Sequence, residues 1–160
     1  MMSRNCNDVA QLYSPEYCRE WNSESLYALA EWRNGLAFKD IVFSGGGKPV
    51  IKIAKLKNGI THQTRYTDAS FDDSVHLTKG DMLFSWSGNP LTSIDVFWYG
   101  LPEDGWLNQH IFKITVKGAV AKKYFYYTLK YLKPNFTAIA AKNRLLVWAM
   151  SQFRILRALK

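Results

Sequence analysis

The spacing of apolar residues changes once along the chain, and that change restricts the fold more than any other feature. MLFSW (82–86), SIDVFWYG (93–100) and WLNQHIFKITV (106–116) read as strands, each bounded by turn residues such as Gly, Asp, Ser, Asn or Pro. From residue 122 the period becomes helical: Phe125, Leu129 and Leu132 share one face, and Pro134 is expected to stop the helix. Upstream, residues 26–32 are expected to form a short helix that ends at Gly35. After the glycine cluster SGGGKP (44–49), VIKIAKL (50–56) alternates as a half-buried strand with Lys52 on its outer face. In the segment 106–116, Leu107, Gln109 and Ile111 alternate before the parity moves to Phe112, Ile114 and Val116, which reads as a β-bulge. Strands followed by a helix define an α+β class. The expectation is a single mixed domain with a twisted, largely antiparallel sheet and flanking helices.

A chain of 160 residues with 48% hydrophobic content can bury one real core. Its aromatic fraction, 15%, is high and favours β structure and binding surfaces. Residues 1–20 are polar and broken by Pro15, so they read as a leader ahead of a domain at 21–143 and a tail at 144–160. Cys6 and Cys18 have no second pair and no metal-ligand spacing, which fits free thiols in a reducing cytoplasm. The longest wholly apolar run, LLVWAM (145–150), falls well short of the roughly 20 residues that span a bilayer. The N-terminus lacks the apolar core of a signal peptide. A cytoplasmic location is expected.

Charge is distributed unevenly. Residues 1–104 hold 10 basic and 13 acidic side chains, whereas residues 105–160 hold 11 basic and no acidic ones. A basic face accompanied by aromatics suits a polyanion such as nucleic acid. A solvated end and a docking site for an acidic partner protein are the alternatives.

Enzymatic signatures are missing. The SGGGKP glycines precede a strand rather than opening a helix, so they give no helix-dipole phosphate site. His62, His76 and His110 are not spaced as a metal-binding pair on one helix, and Asp72 and Asp73 read as a solvated turn. No catalytic residues and no metal or cofactor are expected.

Five pieces occur in series: NGLAFK (34–39), PVIKIAKLKNG (49–59), KGDMLFSWSG (79–88), LNQHIFKI (107–114) and FYYTLKYLKPNF (125–136). Together they resemble the target recognition domain of type I restriction–modification specificity subunits, over about residues 21–143. The resemblance implies a module that reads one half of a bipartite site in double-stranded DNA and carries no chemistry of its own. Methylation would fall to methyltransferase (modification) subunits that use S-adenosylmethionine, and restriction to a subunit that uses ATP. Base reading needs Arg, Asn, Gln or Lys on an element narrow enough to enter the major groove. KLKNGITHQTR (55–65) meets that requirement best. Arg65 is suited to guanine, Gln63 or Asn58 to adenine, and Lys52, Lys55 and Lys57 to phosphates, with His62 in the same loop. Trp86, Ser87 and Asn89 form a second candidate loop, and Lys122, Lys123, Lys130 and Lys133 are candidates for tracking the backbone. Gly80, Asp81, Asn108 and Gln109 are expected to be framework: a positive-φ turn, its cap, and side-chain ties between loops.

The resemblance breaks near the end of the chain. Such domains continue into a Met-Gly-His-type turn, a final strand and a long helix, whereas this chain reads NRLLVWAMSQFRILRALK (143–160). Shifted by two bases, codons for Val-Trp-Ala-Met-Ser can spell Met-Gly-His-Val. Residues from about Arg144 onward are therefore expected to be an out-of-frame tail lying loosely on the surface, the alternative being a true amphipathic helix. Two other functions compete with DNA reading. One is a degenerate remnant, or protein-interaction module, that does not bind DNA. The other is a single-stranded nucleic-acid binder that stacks bases on Trp86, Trp98 or Trp106.

Overall fold

The computed structural model describes residues 21–38, 43–118, 120–142, 151 and 153–158. In chain order these form β1 (Trp21–Ser25), β2 (Ala30–Asn34), β3 (Lys48–Ile51), α1 (Ile53–Asn58), β4 (Tyr66–Thr67), a 3-10 turn (Asp73–Val75) and β5 (His76–Leu77). There follow β6 (Met82–Ser85), α2 (Pro90–Ser93), β7 (Asp95–Trp98), β8 (Gly105–Leu107), β9 (Ile111–Val116), α3 (Lys122–Ala141) and β10 (Arg154–Ala158). One four-stranded sheet has the order β2-β9-β6-β7 and is wholly antiparallel. A second has the order β4-β3-β8-β5, with β3 and β8 parallel, and β1 pairs with β10. The class is α+β, as expected.

Strand periodicity explains the layering. On β6, Met82 and Phe84 enter one core with Leu26, Leu29, Val96, Phe112, Phe125, Leu129 and Phe136. Leu83, between them, enters a second core with Val50, Ile51, Leu77, Tyr99, Trp106, Leu107 and Ile111. The antiparallel sheet therefore lies between α3 on one face and the second sheet on the other, which is why its central strand is buried along its whole length.

The long segment 106–116 is not one bulged strand. Trp106 and Leu107 belong to the second sheet, Ile111 onward to the first, and residues 108–110 turn between them. The change in parity marks a change of sheet. His110 takes a positive φ of 72° to make that turn.

Three other expectations are corrected. Residues 26–32 are a turn and then a strand, because Ser25 caps the turn by accepting the Ala28 N–H (3.2 Å) and Ala30 onward pairs with β9. The strand expected over 50–56 stops at Ile51. Ala54, Lys55, Leu56 and Lys57 are good helix formers, and α1 ends at Gly59 with φ 72° and its N–H on Lys55 O (2.9 Å). Pro134 does not stop α3, which runs through it for 20 residues. The apolar stripe Phe125, Leu129, Leu132, Phe136 continues past the proline on the core side, and its burial outweighs a cost of about 3 kcal/mol for a proline inside a helix.

The expected loose tail differs as well. Residues 1–20 and Arg144, Leu145, Leu146, Trp148 and Leu159 lie outside the described residues. Residues 154–158, however, form a strand paired with β1, and the Phe153 ring meets Phe136 edge-on at 5.3 Å. The folded unit thus includes residues beyond 143. An unpaired β1 edge offers N–H and C=O groups that this strand satisfies.

Gly80 has φ 92°, and the Asp81 carboxylate accepts the Thr78 N–H at 2.8 Å, so both serve the turn before β6. A Cβ on Gly80 meets nothing within 4 Å. Gly80→Val should therefore cost only backbone strain, about 1–2 kcal/mol, read as a lowered melting temperature. Gly80→Asn should lose less, because Asn tolerates the left-handed region better.

Candidate nucleic-acid interface

Strand direction gathers the candidate loops at one end of the molecule. β3 and β8 are parallel, so α1, which follows β3, and the turn 108–110, which follows β8, leave from the same end. β4 returns antiparallel to β3, so the loop 59–65 lies there too. β6 is antiparallel to β9, which places Trp86 beside the start of β9, where its N–H donates to His110 O (3.1 Å). Asn34 ends β2 opposite Phe112. The turn 108–110 thus stands between the α1 excursion on one side and the 86–89 loop on the other.

Gly35 allows this junction to close. Its N–H donates to Ile111 O (3.1 Å), and a Cβ there would lie 2.2 Å from Asn108 O. Next to it, Leu36 N–H donates to Leu107 O (3.0 Å), Gln109 N–H to Leu36 O (2.7 Å) and Asn108 N–H to Ile51 O (3.1 Å).

In the α1 excursion, Lys52, Lys57, Asn58, His62, Gln63 and Arg65 are exposed. Arg65 rests its guanidinium over the Phe43 ring at 4.8 Å, and its N–H groups have no acceptor among the described residues. Lys55 departs from expectation. It is buried (9% exposed) and its Nζ donates to Thr61 Oγ1, so it holds the loop together instead of offering its charge to a phosphate. Thr61 and Thr64 complete that brace, through Thr61 N–H to Thr64 Oγ1 (2.9 Å).

The 86–89 loop is mostly framework. Trp86 donates its indole N–H to Asn34 Oδ1 (3.2 Å) and stacks on Phe112 at 5.7 Å. Asn89 caps α2 by accepting Leu91 N–H (2.9 Å) and Thr92 N–H (3.3 Å). Trp86 is thus held by the framework, and Asn89 gives its Oδ1 to the cap. The α3 lysines are also engaged. Lys130 and Lys133 both bind the Asp95 carboxylate, at 2.7 and 2.6 Å, and Lys122 donates to Gly80 O (2.8 Å). Burial raises the Asp95 pKa, but the hydrogen bonds from Lys130 and Lys133 outweigh it and hold the carboxyl below its ordinary range. Lys123 stays exposed and has no such tie among the described residues.

The stacking platform for single strands is weak. Trp106 is 5% exposed, Trp86 is committed to Asn34 and Phe112, and Trp98 already stacks on Tyr126 at 4.9 Å. Away from the gathered loops, an open cleft of about 380 Å³ is lined by Lys48, Asp68, Phe71, Asp73, His76 and Trp106. Its aspartates oppose a phosphate. Among the described residues no His, Cys, Asp or Glu cluster could hold a metal ion, and no helix is long and apolar enough to cross a membrane.

The reading from sequence missed Asn34 as part of this end and gave Gln109 only a framework role. Asn108 does act as framework, its Nδ2 reaching Leu36 O at 3.5 Å. The Gln109 carboxamide has no partner among the described residues. The parity change after Ile111 was the available signal.

The described residues form a small α+β domain whose polar loops converge at one end. Residues 19–155 match the family described as "Type I restriction modification DNA specificity domain", and the chain belongs to that family. A search of curated proteins finds no significant match. Among solved structures, the chain is similar to the HsdS subunit from Thermoanaerobacter tengcongensis, with TM-score 0.63 and 14% identity over 86% of this chain and 33% of that one. A second similar chain comes from a structure titled "Structural basis underlying complex assembly and conformational transition of the type I R-M system", with TM-score 0.62 and 14% identity, covering 95% of this chain and 38% of that one. The chain thus spans little more than a third of the length of these solved chains, and the likeness establishes the shared fold.

Proposed function

We propose that the chain is the sequence-specific, double-stranded DNA-recognition module of a type I restriction–modification specificity subunit, reading one half of a bipartite site in the cytoplasm. It carries no catalysis. Methyltransferase subunits and a restriction subunit supply the chemistry when they assemble with it. The observation that carries this reading is the exposed set Lys52, Lys57, Asn58, His62, Gln63 and Arg65, presented from one braced excursion between β3 and β4. Cations for phosphates sit there beside an Arg and carboxamides suited to base edges.

Selection from a randomised duplex pool, followed by salt titration, tests the proposal. Arg65→Ala should weaken the preferred duplex by about 1–3 kcal/mol while leaving random duplex nearly unchanged. Lys57→Ala should weaken both alike and reduce the salt slope by about 1. Equal loss on both duplexes for Arg65→Ala excludes base reading by that residue.

One observation favours a second reading, as a protein-interaction module. Tyr124, Tyr127 and Tyr131 of α3 are 51%, 67% and 83% exposed, and tyrosine is enriched at protein interfaces. Failure to select any duplex would favour it.

A further inference from the structure

We propose that the outer face of α3 is a docking surface for an acidic amphipathic helix of a partner protein. The proposal rests on the protein-interaction reading of the exposed tyrosines, names the partner's chemistry, and leaves DNA reading to the loops. On α3, Phe125, Leu129 and Phe136 enter the core, so the opposite face is left to solvent. Tyr124, Tyr127, Tyr131, Pro134, Ala138 and Ala141 are all exposed there. Their steps alternate between three and four residues, the spacing of a seam into which another helix packs. A face meant only for water carries charged residues at such positions, and none of these is charged. Tyr127 is braced as well: its ring meets Tyr126 edge-on at 5.4 Å, and Tyr126 stacks on Trp98 at 4.9 Å. Aromatic anchors held in this way lose little freedom on binding.

Charge selects the occupant. The positions flanking the seam carry Lys123, Lys130 and Lys142 and no acid. The first turn adds Lys122, with no acidic residue and no side-chain cap, at the positive end of the helix dipole. Asp95 meets Lys130 but is shared with Lys133, so the face keeps a net positive charge. A second copy of this chain would set lysines against lysines across the seam. An acidic helix would set carboxylates against them, the arrangement by which flanking charges choose partners. The uncharged seam, and the commitment of Lys122, Lys130 and Lys133 to Gly80 O and Asp95, favour a helix over a phosphate backbone. Position keeps the two surfaces apart. Lys122 bonds Gly80 O (2.8 Å) ahead of β6, whereas the 86–89 loop follows β6. Tyr124 and Tyr127 therefore sit towards the end of the molecule opposite the gathered loops. The 20 residues of α3 offer a seam of about 30 Å, well short of a standard interface, so weak, reversible binding is expected.

The full chain is titrated with two labelled three-heptad helical peptides that share Leu and Ala along the seam and carry either Glu or Lys on its flanks. The Glu peptide should bind about tenfold or more tightly than the Lys peptide, and added salt should narrow the difference. Tyr127→Ala combined with Tyr131→Ala should cost about tenfold or more in Glu-peptide affinity, with melting temperature and affinity for the preferred duplex unchanged. Lys123→Glu combined with Lys142→Glu should reverse the preference between the peptides. Equal binding of both peptides, binding of neither, or binding that survives the tyrosine variant overturns the proposal. So does a parent chain that sediments as a dimer while the tyrosine variant is monomeric, which seats a second copy on the seam. A loss of duplex affinity in the tyrosine variant overturns it too, by seating DNA there. A chain that binds the Glu peptide and selects no duplex keeps this docking surface and loses the DNA-reading function.

Discussion

Gly35→Ala is expected to destabilise the fold by about 3 kcal/mol or more, a large part of the 5–15 kcal/mol typical of a single domain. The added Cβ would sit 2.2 Å from Asn108 O and 2.4 Å from Leu107 O. Both are backbone atoms in the run that joins the two sheets, so neither can swing aside as a side-chain tip would. Moving residue 35 away breaks its N–H bond to Ile111 O (3.1 Å) and strains the Leu36 bond to Leu107 O (3.0 Å). The urea midpoint should fall, and any surviving folded fraction should lose duplex selectivity, because the same displacement moves the turn 108–110. Gly46→Ala is the control, since its Cβ meets nothing within 4 Å and the midpoint should hardly change. An unchanged midpoint for Gly35→Ala would mean that β2 and the β8–β9 turn do not approach in solution.

The elements that were legible in the sequence are those whose pattern is local. Met82–Ser85 and Asp95–Trp98 follow from apolar residues between turn signals, and the helix from the spacing of Phe125, Leu129 and Leu132. Errors arose where tertiary contacts decide. Residues 30–34 become a strand because β9 offers a partner, and α3 passes Pro134 because Phe136 has a core to enter. A bulge and a change of sheet produce the same parity shift, and only spatial neighbours separate them. Trp106 pairs with Val50 and His76, whereas Phe112 pairs with Asn34 and Phe84.

The candidate site was legible in its chemistry and not in its bookkeeping of partners. That 55–65 carries suitable donors is a matter of residue type. That Lys55 is buried on Thr61 while Lys57 is exposed depends on the phase of α1, which the strand assignment got wrong. Asn89 was a fair candidate by type, yet Asn directly before Pro90 is equally an N-cap with proline at the first helical position, and the cap is what forms. Gln109 shows the converse. Its backbone N–H serves the fold by donating to Leu36 O (2.7 Å), while its carboxamide has no partner among the described residues.

Removing residues 151–160 is expected to cost about 3–5 kcal/mol, in contrast to the small effect of losing a loosely attached tail. β10 pairs with β1 at five positions, from Trp21 with Ala158 to Ser25 with Arg154. Phe153 O accepts the Leu26 N–H at 2.7 Å, Arg154 Nε donates to Ser23 Oγ at 2.7 Å, and Arg154 Nη2 donates to Ser23 O. The Phe153 ring covers Phe136, which with Leu26 is 0% exposed, so its loss opens the core that α3 closes. Phe153→Ala alone should account for about 2 kcal/mol, less than a full core phenylalanine because the ring is only half-buried. The deletion also leaves β1 with a free edge, an invitation to pair with another chain. Thermal melts should show the stability loss, and size-exclusion profiles at rising concentration should show the association. A deleted chain that melts like the parent and stays monomeric would mean that β10 contributes nothing in solution, and would restore the reading of the segment as a passive tail.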